Sequence, residues 1–396
     1  MLTIAEAQAA ILAEVRPLTA EDVPIADAHG RVLAADIVAG HDVPPFDNSA
    51  MDGYAVRGTG PEFTNIGESR AGTPFDGELG NNESILISTG AAVPTTAESV
   101  VPIERAVLGA QEASNTAHEW RAEGAIAPGD NIRRAGEDQQ QGTTVLASGT
   151  RLGPAELGIA AGAGRTSLSV AKRPTVAIVA TGDELVTPGT PLQPGQIYET
   201  NALSLAALSR EAGASVALSL RAADDEETTI EALRQALQTA DLTIISGGVS
   251  IGPHDHVKPA LTALGVQEHF WRVALRPGKP TWFGTRDCTL VIGLPGNPVS
   301  ALVTFTLFAR PALAALQGDT SNPRPLRLPI AEAVPRHPDR DEAIRVRIGD
   351  DGRMSPNGPQ GSHMLTSMAG ADGLAIVPRG EGEVMSGDLL DVLLLR

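Results

Sequence analysis

The chain has 396 residues, with 48 acidic and 30 basic side chains, a formal net charge of −18 and one cysteine. At roughly 150 residues per domain, this length predicts about two to three domains. A single cysteine excludes a disulfide scaffold and a four-cysteine zinc site, and it suits a reducing compartment. The acidic balance argues against nucleic acid and anionic membranes as partners, because both attract basic surfaces.

The N-terminal stretch 1–15 has acidic residues and no basic cluster ahead of its apolar positions, unlike a signal peptide. The most apolar segment, 299–316, is interrupted by Ser300, Arg310 and Pro311, so we expect no membrane span. The sequence therefore predicts a soluble, cytoplasmic protein.

In chain order, residues 3–16 have helical apolar spacing, with Thr3 and Glu6 placed as a capping box. From about 22 to 170, short β-rich runs alternate with Gly, Pro, Asn and Asp, and the chief helical pattern is 154–162. This region is expected to be mostly β structure.

Strand and helix patterns alternate between 172 and 318, where TVAIVATG, SVALSLR, DLTIISGG and CTLVIGL indicate strands. Helices are expected at 201–212, 226–239, 257–264 and 298–316. Such alternation predicts a mainly parallel sheet. After a linker at 318–325 the pattern is β again. The fold class is therefore multidomain α/β: a central, mainly parallel α/β domain with β-rich N-terminal lobes and a C-terminal small β-barrel or sandwich.

Loops that follow the predicted strands carry glycines and carboxylates: 181–184, 224–225, 247–255 and 294–298. In open α/β sheets, ligands bind beyond the carboxyl ends of the strands, so these loops should face one crevice. Glycines let backbone N–H groups approach an anion, and a following helix N-terminus adds positive dipole. The crevice is expected to bind a phosphorylated ligand.

Glu184, Asp224 and Asp255 come from three strand ends. Carboxylates beside phosphates predict a bridging Mg²⁺. The competing interpretation for each is a helix N-cap, and Asp225 is an alternative to Asp224 as the ligand.

Arg276-Pro-Gly-Lys279-Pro is a rigid turn with two cations three residues apart, which suits a small oxyanion. Its ordinary interpretation is a solvated turn with surface charges. In the β-rich half, 44–55 and 131–138 are unusually polar, although a hairpin turn and a charged loop explain much of this. Cys288 opens a predicted strand and is expected in the core.

Six strings resemble the MoeA family of molybdopterin molybdenumtransferases, to which the E domains of gephyrin and its plant relatives are similar. They occur in the family's order between about 44 and 300: PPFDNSAMDGYAV, NIRRAGED, ATGDEL, SGGVSIGPHDHVK, RPGKP and GLPGNPVSALVTF. The resemblance implies an L-shaped subunit that forms a homodimer. It implies four domains: a discontinuous one at 1–42 and 143–171, an inserted one at 43–142, a molybdopterin-binding α/β domain at 172–320, and a barrel at 325–396.

The resemblance also implies a reaction, the insertion of molybdate as substrate into adenylylated molybdopterin. Mg²⁺-dependent cleavage of the adenylate would release AMP. The alternatives are a molybdopterin adenylyltransferase, a non-enzymatic scaffold and a generic Mg²⁺-dependent phosphohydrolase. A molybdopterin adenylyltransferase is also a candidate partner.

Site residues follow from the same resemblance. The implied catalytic residues are Asp52, Thr89, Asp138, Glu184 and Asp255, and the implied metal ligands are Glu184, Asp224 and Asp255. The implied contacts to the pterin nucleotide are Ser246, Gly247, Gly248, Ser250, Pro295, Gly296, Asn297 and Pro298. Molybdate would bind Arg276 and Lys279, where the family has Lys-Pro-Gly-Lys. The last domain would add Arg345 and Ser362 to the substrate contacts. Asp52 and Asp138 would reach the cleft of the partner subunit.

Overall fold

The computed structural model describes residues 1–108, 118–249, 256–321 and 325–395, so the expected site residues Ser250 and Asp255 lie outside the described residues. The helices are α1 (Ile4–Glu14), α2 (Pro154–Gly162), α3 (Asn201–Glu211), α4 (Glu226–Thr239), α5 (Val257–Ala263), α6 (Pro298–Thr304) and α7 (Arg310–Leu316). A π-helical segment, Phe305–Ala309, joins α6 and α7 into one continuous helix. Short 3₁₀ turns lie at Ile25–Asp27, Ile103–Arg105 and Leu365–Ser367. Each helix expected from the sequence is present.

The capping box of α1 forms as expected: the Thr3 hydroxyl accepts from the Glu6 N–H, and the Glu6 carboxylate accepts from the Thr3 N–H. The buried residues of α1, Ala7 and Ile11, belong to the main core of the central region. The Gln8 amide also donates to the Leu307 carbonyl at 2.9 Å. By packing, α1 is therefore part of the central unit, although the resemblance places 1–42 with the β-rich N-terminal lobes.

The central sheet has six strands in the order Ser215–Ala222, Thr175–Thr181, Leu242–Ser246, Thr289–Leu294, Trp282–Arg286 and Gln267–Trp271. The first four strands are parallel to one another. Trp282–Arg286 runs antiparallel to both of its neighbours, Thr289–Leu294 and Gln267–Trp271. Thr175–Thr181 comes first along the chain but lies in the sheet between Ser215–Ala222 and Leu242–Ser246, the next two strands of the chain. The direction in which strands are added to the sheet therefore reverses beside Thr175–Thr181. Such a switch point is where open α/β sheets bind ligands.

Three short ribbons join distant parts of the N-terminal half. Ala20–Pro24 pairs with Ser167–Ala171, Ile37–Val38 pairs with Thr144–Leu146, and Asn48–Ser49 pairs with Ile132–Arg133. The first two ribbons bring chain that precedes residue 43 together with chain that follows residue 142. The chain between residues 43 and 142 contains a six-stranded sheet in the order Ser99–Pro102, Gly53–Val56, Glu83–Ile87, Glu62–Ser69, His118–Ala122 and Ala106–Leu108. A further parallel pair, Leu185–Val186 with Ile197–Tyr198, lies in the central region.

The C-terminal sheet runs in the order Leu275–Arg276, Asp341–Ile348, Gly373–Val377, Leu389–Leu394 and Leu326–Pro329, with Met354–Pro356 beside Asp341–Ile348. A bridge from Ile330 to Met354 closes the sheet on itself, which confirms the expected small barrel. A separate ribbon pairs Val334–Pro335 with Glu383–Val384. The edge strand Leu275–Arg276 comes from the central region, so the two regions share a sheet.

The structure bears on two further expectations. In the described part of the chain, the helix Pro298–Leu316 is long and apolar enough to cross a membrane despite its polar residues, with a mean hydropathy of 1.7. It is nevertheless 72% buried and contributes to the main core, as core helices of this length do. Cys288 is exposed, because it lies in the turn before the strand Thr289–Leu294, whose buried part begins at Leu290. Its expected place in the core was wrong.

Candidate active site at the edge of the central sheet

The loop after Leu242–Ser246 passes close over the end of the neighbouring strand. Gly247 and Gly248 have φ angles of 91° and 64°, in the left-handed region that favours glycine. A Cβ atom on Gly247 would lie 2.9 Å from the Thr181 carbonyl oxygen, and one on Gly248 would overlap the Val257 side chain. Both backbone geometry and packing therefore require glycine here.

Asn201, which the sequence interpretation missed, joins the two glycine-containing loops of this edge. Its Nδ2 donates to the Ser246 hydroxyl at 2.9 Å and to the Gly296 carbonyl at 2.7 Å. The Gly247 N–H donates to the Leu294 carbonyl at 3.1 Å, which extends the strand pairing into the loops. Asn201 is 9% exposed, and its Oδ1 has no partner among the described residues. The two loops therefore form one unit.

The loop 294–298 is also fastened to the C-terminal barrel. The Asn297 side-chain amide donates to the Ser362 hydroxyl at 3.2 Å, and the Val299 N–H donates to the Ser362 carbonyl at 3.1 Å. Pro298 occupies the first turn of α6, where its missing N–H costs no helical hydrogen bond. The structure thus places Ser362 at the beginning of α6 within one chain.

Arg345 is buried, with only 1% of its surface exposed. Its guanidinium donates to the Ser367 hydroxyl at 3.1 Å and to the carbonyls of Pro359 and Gly361 at 3.1 and 3.2 Å. Burial lowers the pKa of this guanidinium. The expected direct contact with substrate does not fit this position. Arg345 instead supports the turn that carries Ser362, from the strand face that it shares with Ala343, a residue of the main core of the central region.

The carboxylates after the first two strands contact each other's backbone. The Asp224 N–H donates to the Asp183 carboxylate at 3.0 Å, and the Asp183 N–H donates to the Asp224 carboxylate at 3.3 Å. Asp225 instead caps α4, because its side chain accepts from the Thr228 N–H and hydroxyl, and these bonds lower its pKa. The N-cap interpretation therefore applies to Asp225, while Asp224 and the exposed Glu184 remain at the rim.

No group of three acidic, histidine or cysteine side chains in the described ranges could hold a metal alone. Asp183 and Asp224 still form a pair of adjacent carboxylates, and neither makes an ion pair with a described residue. Mg²⁺ commonly binds one or two carboxylates together with substrate phosphates. The oxygen ligands of this rim therefore fit a Mg²⁺ ion that binds together with a phosphorylated ligand.

The Arg276–Lys279 turn is held against α6. Gly278 has φ 125°, and a Cβ there would lie 2.5 Å from the Thr304 methyl, so no larger residue fits. Arg276 is the last residue of the edge strand, precedes a cis proline and lies 3.6 Å, Nε to Oε1, from Glu342. Lys279 is exposed and makes no ion pair with a described residue. The turn therefore presents two cations on a constrained backbone, and such cations can form charge-assisted hydrogen bonds with an anion.

Asp52 and Thr89, two of the expected catalytic residues, lie next to each other in the N-terminal half. The Asp52 carboxylate accepts from the Thr89 N–H at 2.7 Å and from its hydroxyl at 3.0 Å. These bonds hold the pKa of Asp52 below its ordinary value. Asp138 is exposed, and its N–H donates to the Val43 carbonyl at 2.9 Å.

Comparisons with known proteins cover nearly the whole chain. Three family models match: the MoeA N-terminal region (domain I and II) at 2–164, a probable molybdopterin binding domain at 177–315, and the MoeA C-terminal region (domain IV) at 327–395. Molybdopterin molybdenumtransferase 2 of Mycobacterium tuberculosis H37Rv is 40% identical over 393 residues, 95% of each chain. The chain belongs to the MoeA family. Molybdopterin molybdenumtransferase of Haemophilus influenzae is 34% identical and covers 99% of this chain and 98% of its own.

The chain also has the same fold as a solved MoeA structure. The molybdopterin biosynthesis MoeA protein of Pyrococcus horikoshii OT3 superposes with a TM-score of 0.84, at 28% identity, over the full length of both chains. The resemblance seen in the sequence motifs and the multidomain α/β fold class are thereby confirmed. Because the curated relatives are named as transferases, this MoeA-family chain belongs to a family of enzymes.

Proposed function

We propose that this MoeA-family chain inserts molybdate into adenylylated molybdopterin and cleaves the adenylate with Mg²⁺, giving molybdenum cofactor and AMP. The observation that carries the proposal is the match, at 40% identity over 95% of the chain, to a relative named molybdopterin molybdenumtransferase. That match includes the β-rich domains at both ends as well as the central sheet. A molybdopterin adenylyltransferase would need the central domain type alone.

The pterin nucleotide is assigned to the loops Ser246–Ser250 and Pro295–Pro298. Two glycines with positive φ support this assignment, because successive N–H groups in such turns point toward an anion. The amide of Asn201 holds the two loops together. The N-terminus of α6 lies at the same place and adds positive dipole.

Molybdate is assigned to Arg276 and Lys279. Both side chains are exposed, and the backbone between them is fixed by Gly278 against Thr304. Charge-assisted hydrogen bonds from these cations suit a doubly charged tetrahedral oxyanion. Holding the oxyanion and the dithiolene in one cleft replaces a two-body encounter by a positioned one.

Asp224, Glu184 and Asp255 are assigned to Mg²⁺, with Asp183 as an additional candidate because it contacts Asp224. When bound, the ion would neutralise charge that builds up on the phosphates during cleavage. The residues themselves gather negative charge at the strand ends, so phosphate binds well only with the cation. Asp52, with Thr89 bonded to it, and Asp138 are assigned to the cleft of a partner subunit in a homodimer.

The domain boundaries implied by the motifs, 1–42 with 143–171, 43–142, 172–320 and 325–396, are part of this proposal. The ribbons that join Ala20–Pro24 to Ser167–Ala171 and Ile37–Val38 to Thr144–Leu146 support a discontinuous first domain. A cytoplasmic location and delivery of substrate by a molybdopterin adenylyltransferase complete the proposal.

The test is to mix the purified full chain with adenylylated molybdopterin, Mg²⁺ and molybdate and to measure AMP release and active cofactor. We expect both products, and neither when Mg²⁺ is omitted. ATP-dependent adenylylation of free molybdopterin would support the adenylyltransferase alternative instead. Absence of every activity, with binding retained, would support a scaffold. Light scattering at low concentration tests the homodimer.

A further inference from the structure

The oxyanion turn is attached to the C-terminal barrel through its first strand. Leu275 and Arg276 pair in parallel with Asp341 and Glu342, with Arg276 directly opposite Glu342. The Asp341 N–H also donates to the Ala274 carbonyl at 2.9 Å. The barrel edge therefore positions the backbone of Arg276 and places an acidic side chain next to it.

The carboxylate of Glu342 is largely buried, with 12% of its side chain exposed, whereas the Arg276 side chain is 54% exposed. The Arg276 Nε lies 3.6 Å from Glu342 Oε1. The charge of Glu342 also acts on Arg345, where it opposes the lowering of the pKa by burial. Arg345 is already bonded to the turn at 359–361, so Arg276 is the direct ion-pair partner of Glu342 in the described part of the chain.

We propose that Glu342 is a positioning residue that sets the oxyanion affinity of the turn. It holds Arg276 as a counter-ion until the oxyanion displaces it. The inference rests on the proposed function, because it takes Arg276 and Lys279 as the oxyanion site.

Charge determines how this arrangement discriminates between ligands. A carboxylate near the turn repels a bound anion, and the Coulomb energy is proportional to the charge of that anion. A dianion such as molybdate therefore loses about twice as much binding free energy to Glu342 as a monoanion of similar shape. The ion pair between Glu342 and the exposed Arg276 guanidinium is itself weak, so a bound dianion can displace Glu342 as the partner of Arg276.

The test is calorimetric titration of the purified full chain with tungstate and molybdate as dianions and perrhenate as a monoanion. Glu342→Gln is expected to tighten binding of the dianions roughly three- to tenfold. Perrhenate binding should tighten by about the square root of that factor. Glu383→Gln, which removes an exposed charge from the separate ribbon of the same barrel, serves as the matched control and should change neither constant.

A double-mutant cycle separates this role from a general change in surface charge. In an Arg276→Gln background, Glu342→Gln should tighten dianion binding by a smaller factor, since Glu342 and the oxyanion no longer compete for Arg276 and only the direct repulsion remains to be removed. Glu342→Asp keeps the negative charge but moves it away from Arg276, so its dianion affinity should lie between those of the wild type and Glu342→Gln. If the glutamine variant misfolds, the dianion affinity of Glu342→Asp tests the proposal. Unchanged or weaker dianion binding in folded Glu342→Gln overturns the proposal. Absence of oxyanion binding in the wild type instead overturns the assignment of molybdate to the turn.

Discussion

The indole N–H of Trp271 donates a hydrogen bond to the carbonyl of Val249 at 3.0 Å. The ammonium of Lys258 lies 3.1 Å from the centre of the same ring, and the guanidinium carbon of Arg272 lies 3.9 Å from it. Val249 precedes, and Lys258 follows, the segment that carries Ser250 and Asp255. One aromatic side chain at the end of a strand thus contacts both flanks of an expected substrate loop.

Trp271→Phe retains an aromatic ring for the cations but removes the hydrogen bond to Val249. We expect a loss of about 1 kcal/mol in the free energy of unfolding and a higher KM for the adenylylated pterin. Trp282→Phe is the matched control, since Trp282 pairs with Trp271 across the sheet but its indole donates to Glu268. The control should lower the melting temperature and leave KM unchanged. A KM equal to that of the wild type in Trp271→Phe would show that the contact is structural only.

Asn201→Ala removes both bonds between the glycine-containing loops and leaves the buried Ser246 hydroxyl and the Gly296 carbonyl without that donor. We expect a loss of about 2–3 kcal/mol in unfolding free energy, measured by denaturant titration, and weaker nucleotide binding. Ser204→Ala, in the same helix, should have little effect on either. If Asn201→Ala bound the nucleotide like the wild type, the assignment of these loops to the pterin would lose its support.

Asp224 and Asp225 are adjacent in sequence but differ in their contacts, so their alanine variants should behave differently. Asp225→Ala loses the cap of α4, and we expect a lower melting temperature with AMP release largely retained. Asp224→Ala should keep most of its thermal stability but require far more Mg²⁺ for AMP release. Melting curves and Mg²⁺ titrations of both variants distinguish the roles. The opposite pattern would make Asp225 the ligand.

The Asp52 carboxyl should titrate below its ordinary pKa, because Thr89 donates two hydrogen bonds to its charged form. A lowered folded-state pKa means that this carboxylate stabilises the fold above the unfolded pKa, at about pH 4. That contribution is lost as the pH falls through the lowered folded-state value. Thr89→Val removes the hydroxyl bond only, so the pKa of Asp52 should rise part of the way back. Carboxyl NMR titration of both proteins measures this.

The fold could be predicted largely because the central region has strong local patterns. Alternating strands and helices between 172 and 318 predict a parallel sheet. Because parallel strands end at the same edge of a sheet, the location of the loops that follow them could be predicted from this pattern alone. The tight loop at the glycines after Ser246 could likewise be predicted, since only glycine adopts their φ angles at no energetic cost.

Contacts between distant segments were not predictable in this way. The two-residue strand Leu275–Arg276 joins a barrel some 65 residues further along the chain, at Asp341 and Glu342, and no local pattern marks so short an edge strand. Asn201 resembled an ordinary residue at a helix start, and its contacts are with residues 45 and 95 positions away. The family resemblance implied a substrate contact for Arg345, but its side chain is buried and donates to the carbonyls of Pro359 and Gly361, which no local pattern indicates.

The C-terminal barrel contacts the central region at two places that matter for different ligands. Ser362 meets the loop assigned to the nucleotide, and strand Asp341–Ile348 meets the turn assigned to the oxyanion. A displacement of the barrel would therefore move both subsites together. Thermodynamic linkage then makes any coupling reciprocal: the factor by which nucleotide changes the oxyanion dissociation constant equals the factor by which oxyanion changes that of the nucleotide.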